Sequence, residues 1–161
     1  MIMNNPMCRI CGNDITDNTV LTVCDSPYMC LGCYAACVDY YNCPLSREDI
    51  ESFCAVFPQE IDGYYLHKFV CVNRTNYGGW VMQFTVNAVS NWKQSPNQRF
   101  GVSYALSEQA DEEFRKQYPE QYEEMKKFRT DEFIRHLREL LNSNIIPFIN
   151  EQRKKREELG I

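Results

Sequence analysis

The chain has 161 residues and a formal net charge of −5, with 44% hydrophobic and 24% charged residues, an ordinary globular balance that excludes a mostly disordered chain. Seven glycines and seven prolines exclude a collagen-like or low-complexity sequence. The longest apolar runs, such as Phe69 to Val72, are far too short to cross a bilayer, and Met1 to Pro6 lack the charged and apolar blocks of a signal peptide. No membrane partner is expected, and the expected location is intracellular, in cytoplasm or nucleus. Cysteine is the outlier: there are nine, seven of them between Cys8 and Cys43. A reducing compartment disfavours disulfides and the number is odd, so metal ligation is the expected use.

In chain order, residues 1–58 hold eight of the cysteines, few large aliphatics and a net charge of −5. So short a piece buries too little apolar surface to stand alone and needs a staple. Phe57-Pro58 marks a seam, which divides the chain into a zinc-binding module, residues 1–58, and a sheet-plus-helix domain, residues 59–161. After the seam period-2 patterns begin. Trp80, Met82, Phe84, Val86 and Ala88 alternate with Gln83, Thr85 and Asn87, and Phe100, Val102, Tyr104 and Leu106 repeat the pattern. Tyr64 to Asn73 is rich in β-branched and aromatic residues. These predict a small antiparallel sheet of about three strands, with a hairpin loop at Arg74 to Gly78. From Ser107 the period becomes helical: Ser107 is a predicted cap, followed by Glu108, Asp111, Glu112 and Glu113. Pro119 interrupts or restarts this helix. Thr130 is a predicted cap for another, whose stripe is Phe133, Ile134, Leu137, Leu140 and Leu141, with Asn142-Ser143-Asn144 as its end. The charged segment Asn150 to Leu159 predicts a helix with little apolar face, and Lys154-Lys155-Arg156 a solvated side of it. The fold class is α+β.

Cys8-Arg9-Ile10-Cys11 and Cys30-Leu31-Gly32-Cys33 are two C-x2-C pairs. Each such pair folds as a knuckle placing two thiolates on adjacent corners of a tetrahedron, and two knuckles complete a closed, structural Zn²⁺ site. Neither pair has the strand-to-helix context of a thioredoxin-type redox motif, so zinc is preferred over redox chemistry.

Cys24 lies between the knuckles; Cys37, Cys43 and Pro44-Leu45-Ser46-Arg47 follow them. In this order residues 8–47 resemble a RING finger, whose four ligand pairs alternate between two zincs in a cross-brace. Cys8 and Cys11 match the first pair, Cys30 and Cys33 the third, Cys24 the start of the second and Cys43 the start of the fourth. The resemblance implies one zinc on Cys8, Cys11, Cys30 and Cys33 and a second near Cys24 and Cys43. It also implies a groove of Ile10, Pro44 and Leu45 that docks a ubiquitin-conjugating enzyme, and a linchpin, Arg47, that bridges enzyme and ubiquitin and is the catalytic residue of ligase activity on a protein substrate. The sequence departs from the family at the second site. Residues 1–58 contain no histidine, the Cys-x-His pair reads Cys24-Asp25-Ser26, and the last ligand position is Ser46. Asp25, Cys37 or Cys54 can substitute, a set of Cys24, Cys37, Cys43 and Cys54 meets the ligand count, and a metal-free second site held by packing, as in U-box relatives, is the other solution.

Two functions follow. One is a RING-type ubiquitin ligase; the alternative is a non-enzymatic, zinc-stapled adaptor using the same surface or the sheet-helix domain. Nucleic-acid binding is a weaker third reading. Residues 59–106 are net +2 and rich in aromatics, but Trp80, Phe84, Phe100 and Tyr104 fall on inferred buried faces. His67, in a strand, and His136, on a charged helical stretch, have no adjacent nucleophile and are expected to be structural or solvated.

Overall fold

The computed structural model describes residues 6–15, 18–41, 43–75, 79–92, 95–107 and 110–160. The long strands form where period-2 sequence predicts them. β1 (Thr19–Val23) leads to α1 (Leu31–Tyr41) and α2 (Arg47–Cys54), then to the short β2 (Glu60–Ile61). Strands β3 (Tyr64–Arg74), β4 (Trp80–Ser90) and β5 (Gln98–Ser107) follow. The chain closes with α3 (Ala110–Gln117), α4 (Pro119–Leu140), a π-helical turn at Leu141–Ile145 and α5 (Ile146–Leu159). None of these helices is long and apolar enough to cross a membrane.

The sheet order is β1-β3-β4-β5, with β2 also paired to β3. β3, β4 and β5 are antiparallel, in a register that sets Val70 opposite Phe84 and Phe84 opposite Val102. Apart from the exposed Arg74 at the end of β3, the even-numbered residues of β3 and β4 are buried and the odd-numbered ones are not, as the alternation predicts. Arg74 faces Trp80 across the expected hairpin, whose residues 76–78 lie outside the described ones.

One strand alters the expected architecture. β1 comes from the cysteine-rich segment and pairs parallel to β3, Leu21 opposite Val70, so the sheet is mixed rather than antiparallel. Parallel neighbours require a long crossover, and here α1 and α2 lie within it. Ile15, Leu21, Val23, Met29, Tyr34, Leu45, Ile50 and Phe53 thereby join one hydrophobic cluster that runs on through the sheet to Ile149. Phe57, at the seam, is buried and stacks on Phe84 with ring centroids 5.7 Å apart. The seam divides sequence character, while the hydrophobic cluster is continuous across it.

The helices cover one face of the sheet through aromatic contacts. Phe133 of α4 stacks on Tyr104 at 4.7 Å and meets Phe53 edge-on at 4.8 Å. Phe148 of α5 meets Tyr64 and Phe100 edge-on. Three local signals are overridden by this packing. Thr130 does not cap a helix: it lies inside α4, and its hydroxyl donates to Lys126 O at 2.9 Å. Asn142-Ser143-Asn144 does not end the helix, because the π-helical turn carries the chain through to Gly160. Ser107 is the last residue of β5, and α3 begins at Ala110.

The last helix also departs from expectation, since it buries Ile149, Gln152 and Arg156. Arg156 lies over the Trp92 ring at 4.9 Å and donates to Ser95 Oγ and Asp62 O, both at 3.3 Å. The same indole presses on Gly63, which has φ +84. A Cβ there would run into Trp92 Nε1, whereas Gly160, at φ +73, has open space around it. Gly160→Ala is therefore expected to cost only backbone strain, about 1 kcal/mol. Gly63→Ala adds steric displacement of the indole, roughly 1–3 kcal/mol more. Urea midpoints of the two variants check this order.

Candidate metal centre

The first knuckle is closed by main-chain hydrogen bonds. Met7 and Asp14 form an antiparallel bridge, Cys8 N donates to Asn13 O, and Gly12 N donates to Cys8 O, both at 2.9 Å. Gly12 makes the turn at φ +78. The second knuckle enters from a bridge between Met29 and Leu21, and Cys33 lies in the first turns of α1. Arg9 N donates to Tyr28 O at 2.8 Å and ties the two knuckles together.

This folding brings Cys8, Cys11, Cys30 and Cys33 together, with their sulfurs all within 4.8 Å of one another. Cys8 Sγ is 3.7 Å from Cys33 Sγ, and Cys11 Sγ is 3.9 Å from Cys30 Sγ. Tetrahedral zinc with Zn–S bonds of about 2.3 Å requires edges of about 3.8 Å. Three backbone N–H groups aim at Cys8 Sγ: Ile10 at 3.4 Å, Cys11 at 3.5 Å and Cys30 at 3.3 Å. Burial alone would raise the Cys8 thiol, but these donors outweigh it and pull it down to about 6. Cys33 is pushed up, by burial first and then by the crowding of Cys30, Cys8 and Cys11. A divalent cation at the centre removes the conflict, since it offsets the mutual repulsion of four thiolates. The cluster can thus hold a tetrahedral metal ion, and its donor set is consistent with zinc.

The expected second site has a different outcome. Among the described residues, the Cys8 cluster is the one group of three or more potential ligands that meets. Cys24 and Cys43 lie outside it, and neither they nor Asp25, Cys37 and Cys54 assemble a second such group. Cys24 and Asp25, at φ +50 and +60, form a tight turn after β1, fastened by Val23 N donating to Ser26 Oγ at 2.9 Å. Cys43 Sγ is 3.4 Å from the Tyr34 hydroxyl, and burial pushes its thiol up. Cys54 Sγ accepts from Thr19 Oγ1 at 3.8 Å. Ser46 is a helix cap: its hydroxyl accepts from Asp49 N while Asp49 Oδ2 accepts from Ser46 N, each at 3.1 Å.

The partner-facing candidates are dispersed between surface and core. Ile10 is 50% exposed at the tip of the first knuckle. Leu45 is buried, and its carbonyl accepts from Tyr34 Oη at 2.6 Å. Pro44 and Leu45 line a narrow crevice whose other wall is Tyr122 and Lys126 of α4. Arg47 is exposed at the start of α2 and pairs with Glu51 at 2.7 Å. His136 is exposed, 3.6 Å from Glu132 on the same helix. Tyr34 is the residue that sequence reasoning missed: a fully buried side chain that latches the start of α1 to Cys43 and Leu45. Its position, directly after the last knuckle cysteine and in the first turns of a helix, is the signal for it.

Comparison with protein-family models, with curated proteins and with solved structures finds no match to this chain.

Two substitutions separate ligand from cap. Cys30→Ser is expected to abolish stoichiometric zinc and to raise amide exchange over residues 8–33, including β1, because metal binding and folding of such a segment are linked. Ser46→Ala is expected to leave zinc content unchanged and to cost about 1 kcal/mol through the lost cap. A chromogenic zinc assay read beside thermal melts distinguishes them.

Proposed function

We propose that this protein is a zinc-stapled protein-interaction module of RING-like sequence order, acting as an adaptor. The observation that carries the reading is the convergence of Cys8, Cys11, Cys30 and Cys33, with sulfur spacings suited to one structural metal. A closed site of four cysteines leaves no open coordination position, so the metal's part is to hold the knuckles rather than to perform chemistry. Held in this way, the first knuckle presents Met7 and Ile10, 58% and 50% exposed, as apolar contacts for a protein partner.

The adaptor reading is favoured over ligase activity by the surroundings of the other family positions. Leu45 belongs to the core, Pro44 faces α4 across a crevice, and Ser46 caps a helix instead of binding metal. Arg47 holds Glu51 in an exposed pair, which is a weak restraint. The ligase reading keeps two supports: the exposed Ile10 at the knuckle tip and the exposed Arg47.

Discharge of ubiquitin from a panel of charged conjugating enzymes separates the two. The adaptor reading expects the zinc-loaded protein to leave discharge rates unchanged. Acceleration by the wild type that Arg47→Ala removes, with docking retained, would establish the ligase instead, since an interaction made only in the reactive arrangement governs turnover more than affinity. Under either reading Ile10→Ala keeps its zinc and weakens the partner contact by about 1–2 kcal/mol.

A further inference from the structure

The sheet face turned away from the helices carries a feature with no role in the metal centre. Among the described residues, the ring contacts that fasten α4 and α5 to the sheet use core-face residues. On the opposite face, strand register places His67, Asn87 and Arg99 side by side in one row across β3, β4 and β5. The next row sets Val20, Phe69, Thr85 and Gly101 beside each other across four strands. Between and above these rows lies a hollow of about 360 Å³, closed at one end by Tyr28, whose ring meets Phe69 edge-on at 5.6 Å.

The chemistry of this hollow is specific. His67 Nε2 is buried with no hydrogen-bond partner among the described residues. Burial and the neighbouring Lys68 hold its pKa below the usual histidine range, so the ring is a neutral hydrogen-bonding group. Arg99 is exposed and makes no ion pair among the described residues. Among the described residues, no carboxylate lines the hollow. A second hollow shares Tyr28 and Phe69 and adds Arg9, with Asp25 as its one acid among the described residues. In a chain of net charge −5, this is a local reversal of sign.

We propose that the hollow binds a nucleotide, its phosphate paired with Arg99 and its base lying against Tyr28 and Phe69. His67 Nε2 and the Asn87 amide lie between these ends and hydrogen-bond the sugar hydroxyls. A hydroxyl both donates and accepts, so it satisfies either tautomer of a neutral imidazole. Strands spaced about 4.8 Å apart put β3 and β5 roughly 10 Å from each other, close to the base-to-phosphate reach of a mononucleotide. A guanidinium suits phosphate geometry, and an exposed aromatic on an open sheet face is a stacking surface for any base. The occupant is either a free ribonucleotide or a nucleotide within a single RNA strand, which keeps its 2′-hydroxyl, so the phosphate, base and hydroxyl contacts at the hollow are shared. The inference does not depend on the adaptor reading.

The test uses the zinc-loaded full chain, ¹⁵N-labelled and titrated separately with AMP, inorganic phosphate and a short oligo-uridine. AMP is expected to shift the amides of residues 67–69, 85–87 and 99–101 saturably and to spare α4. Arg99→Ala is expected to weaken AMP roughly tenfold or more, whereas Arg135→Ala, an exposed change on α4, leaves it unchanged. Phe69→Ala is expected to weaken AMP without affecting phosphate. Tighter binding of the oligonucleotide than of AMP identifies a single strand as the source, and binding of AMP alone identifies the free nucleotide. The proposal is overturned if neither AMP nor the oligonucleotide gives saturable shifts on this face. It is equally overturned if phosphate binds as tightly as AMP, or if Arg99→Ala retains wild-type affinity in a spectrum that is otherwise native.

Discussion

Four sulfurs in one small volume are the condition on which the N-terminal third of this chain depends. The segment from Pro6 to Cys33 has little regular structure beyond β1, and its knuckles are held by a few main-chain hydrogen bonds. What fixes their relative position is the meeting of Cys8 and Cys11 with Cys30 and Cys33. The cluster sits at the edge of the hydrophobic core, with Cys8 buried at 1% exposure and Cys11 exposed. The staple is therefore anchored from within while one of its corners faces solvent. Between the two knuckles the chain makes β1, so the geometry at the sulfurs also governs how the sheet acquires its parallel edge.

Much of the C-terminal architecture was legible because it is written in local periodicity. The three long strands follow alternation, and the first thiol cluster follows the two C-x2-C spacings. What was not legible depends on partners distant in sequence. β1 is five residues, Thr-Val-Leu-Thr-Val, whose partner is Lys68 to Val72; nothing local announces a parallel pairing across so long a gap. The cysteine order leads to the expectation of Leu45 in a surface groove, but it is buried, and that burial is set by Tyr34 and by the proximity of α4. Ser46 illustrates the same limit: its place in the cysteine order suggested a lost ligand, while the residue three positions on makes it a cap. The row His67, Asn87 and Arg99 is invisible in sequence, because adjacency across strands is a property of register.

The two faces of the sheet also divide the aromatic residues. Tyr64, Trp80, Phe84, Phe100 and Tyr104 pack on the core side, which accounts for five of the nine aromatic residues in 59–106. Phe69 is set on the other face by period two alone and meets Tyr28 from the cysteine-rich segment. That segment thus supplies part of the outer surface as well as part of the core.

The π-helical turn at Leu141–Ile145 sets the phase of everything after it. An unbroken α-helix extending the stripe of Phe133, Leu137 and Leu140 would next turn inward Asn144, Glu151 and Lys155. The one-residue widening advances the stripe by a position, so Ile145, Ile149, Gln152 and Arg156 are buried instead. The residues that look like a stop signal, Asn142-Ser143-Asn144, occupy the place where the helix is re-indexed. Two helical segments whose apolar patterns are out of step by about 100° can in this way share a single sheet face without a break in the chain.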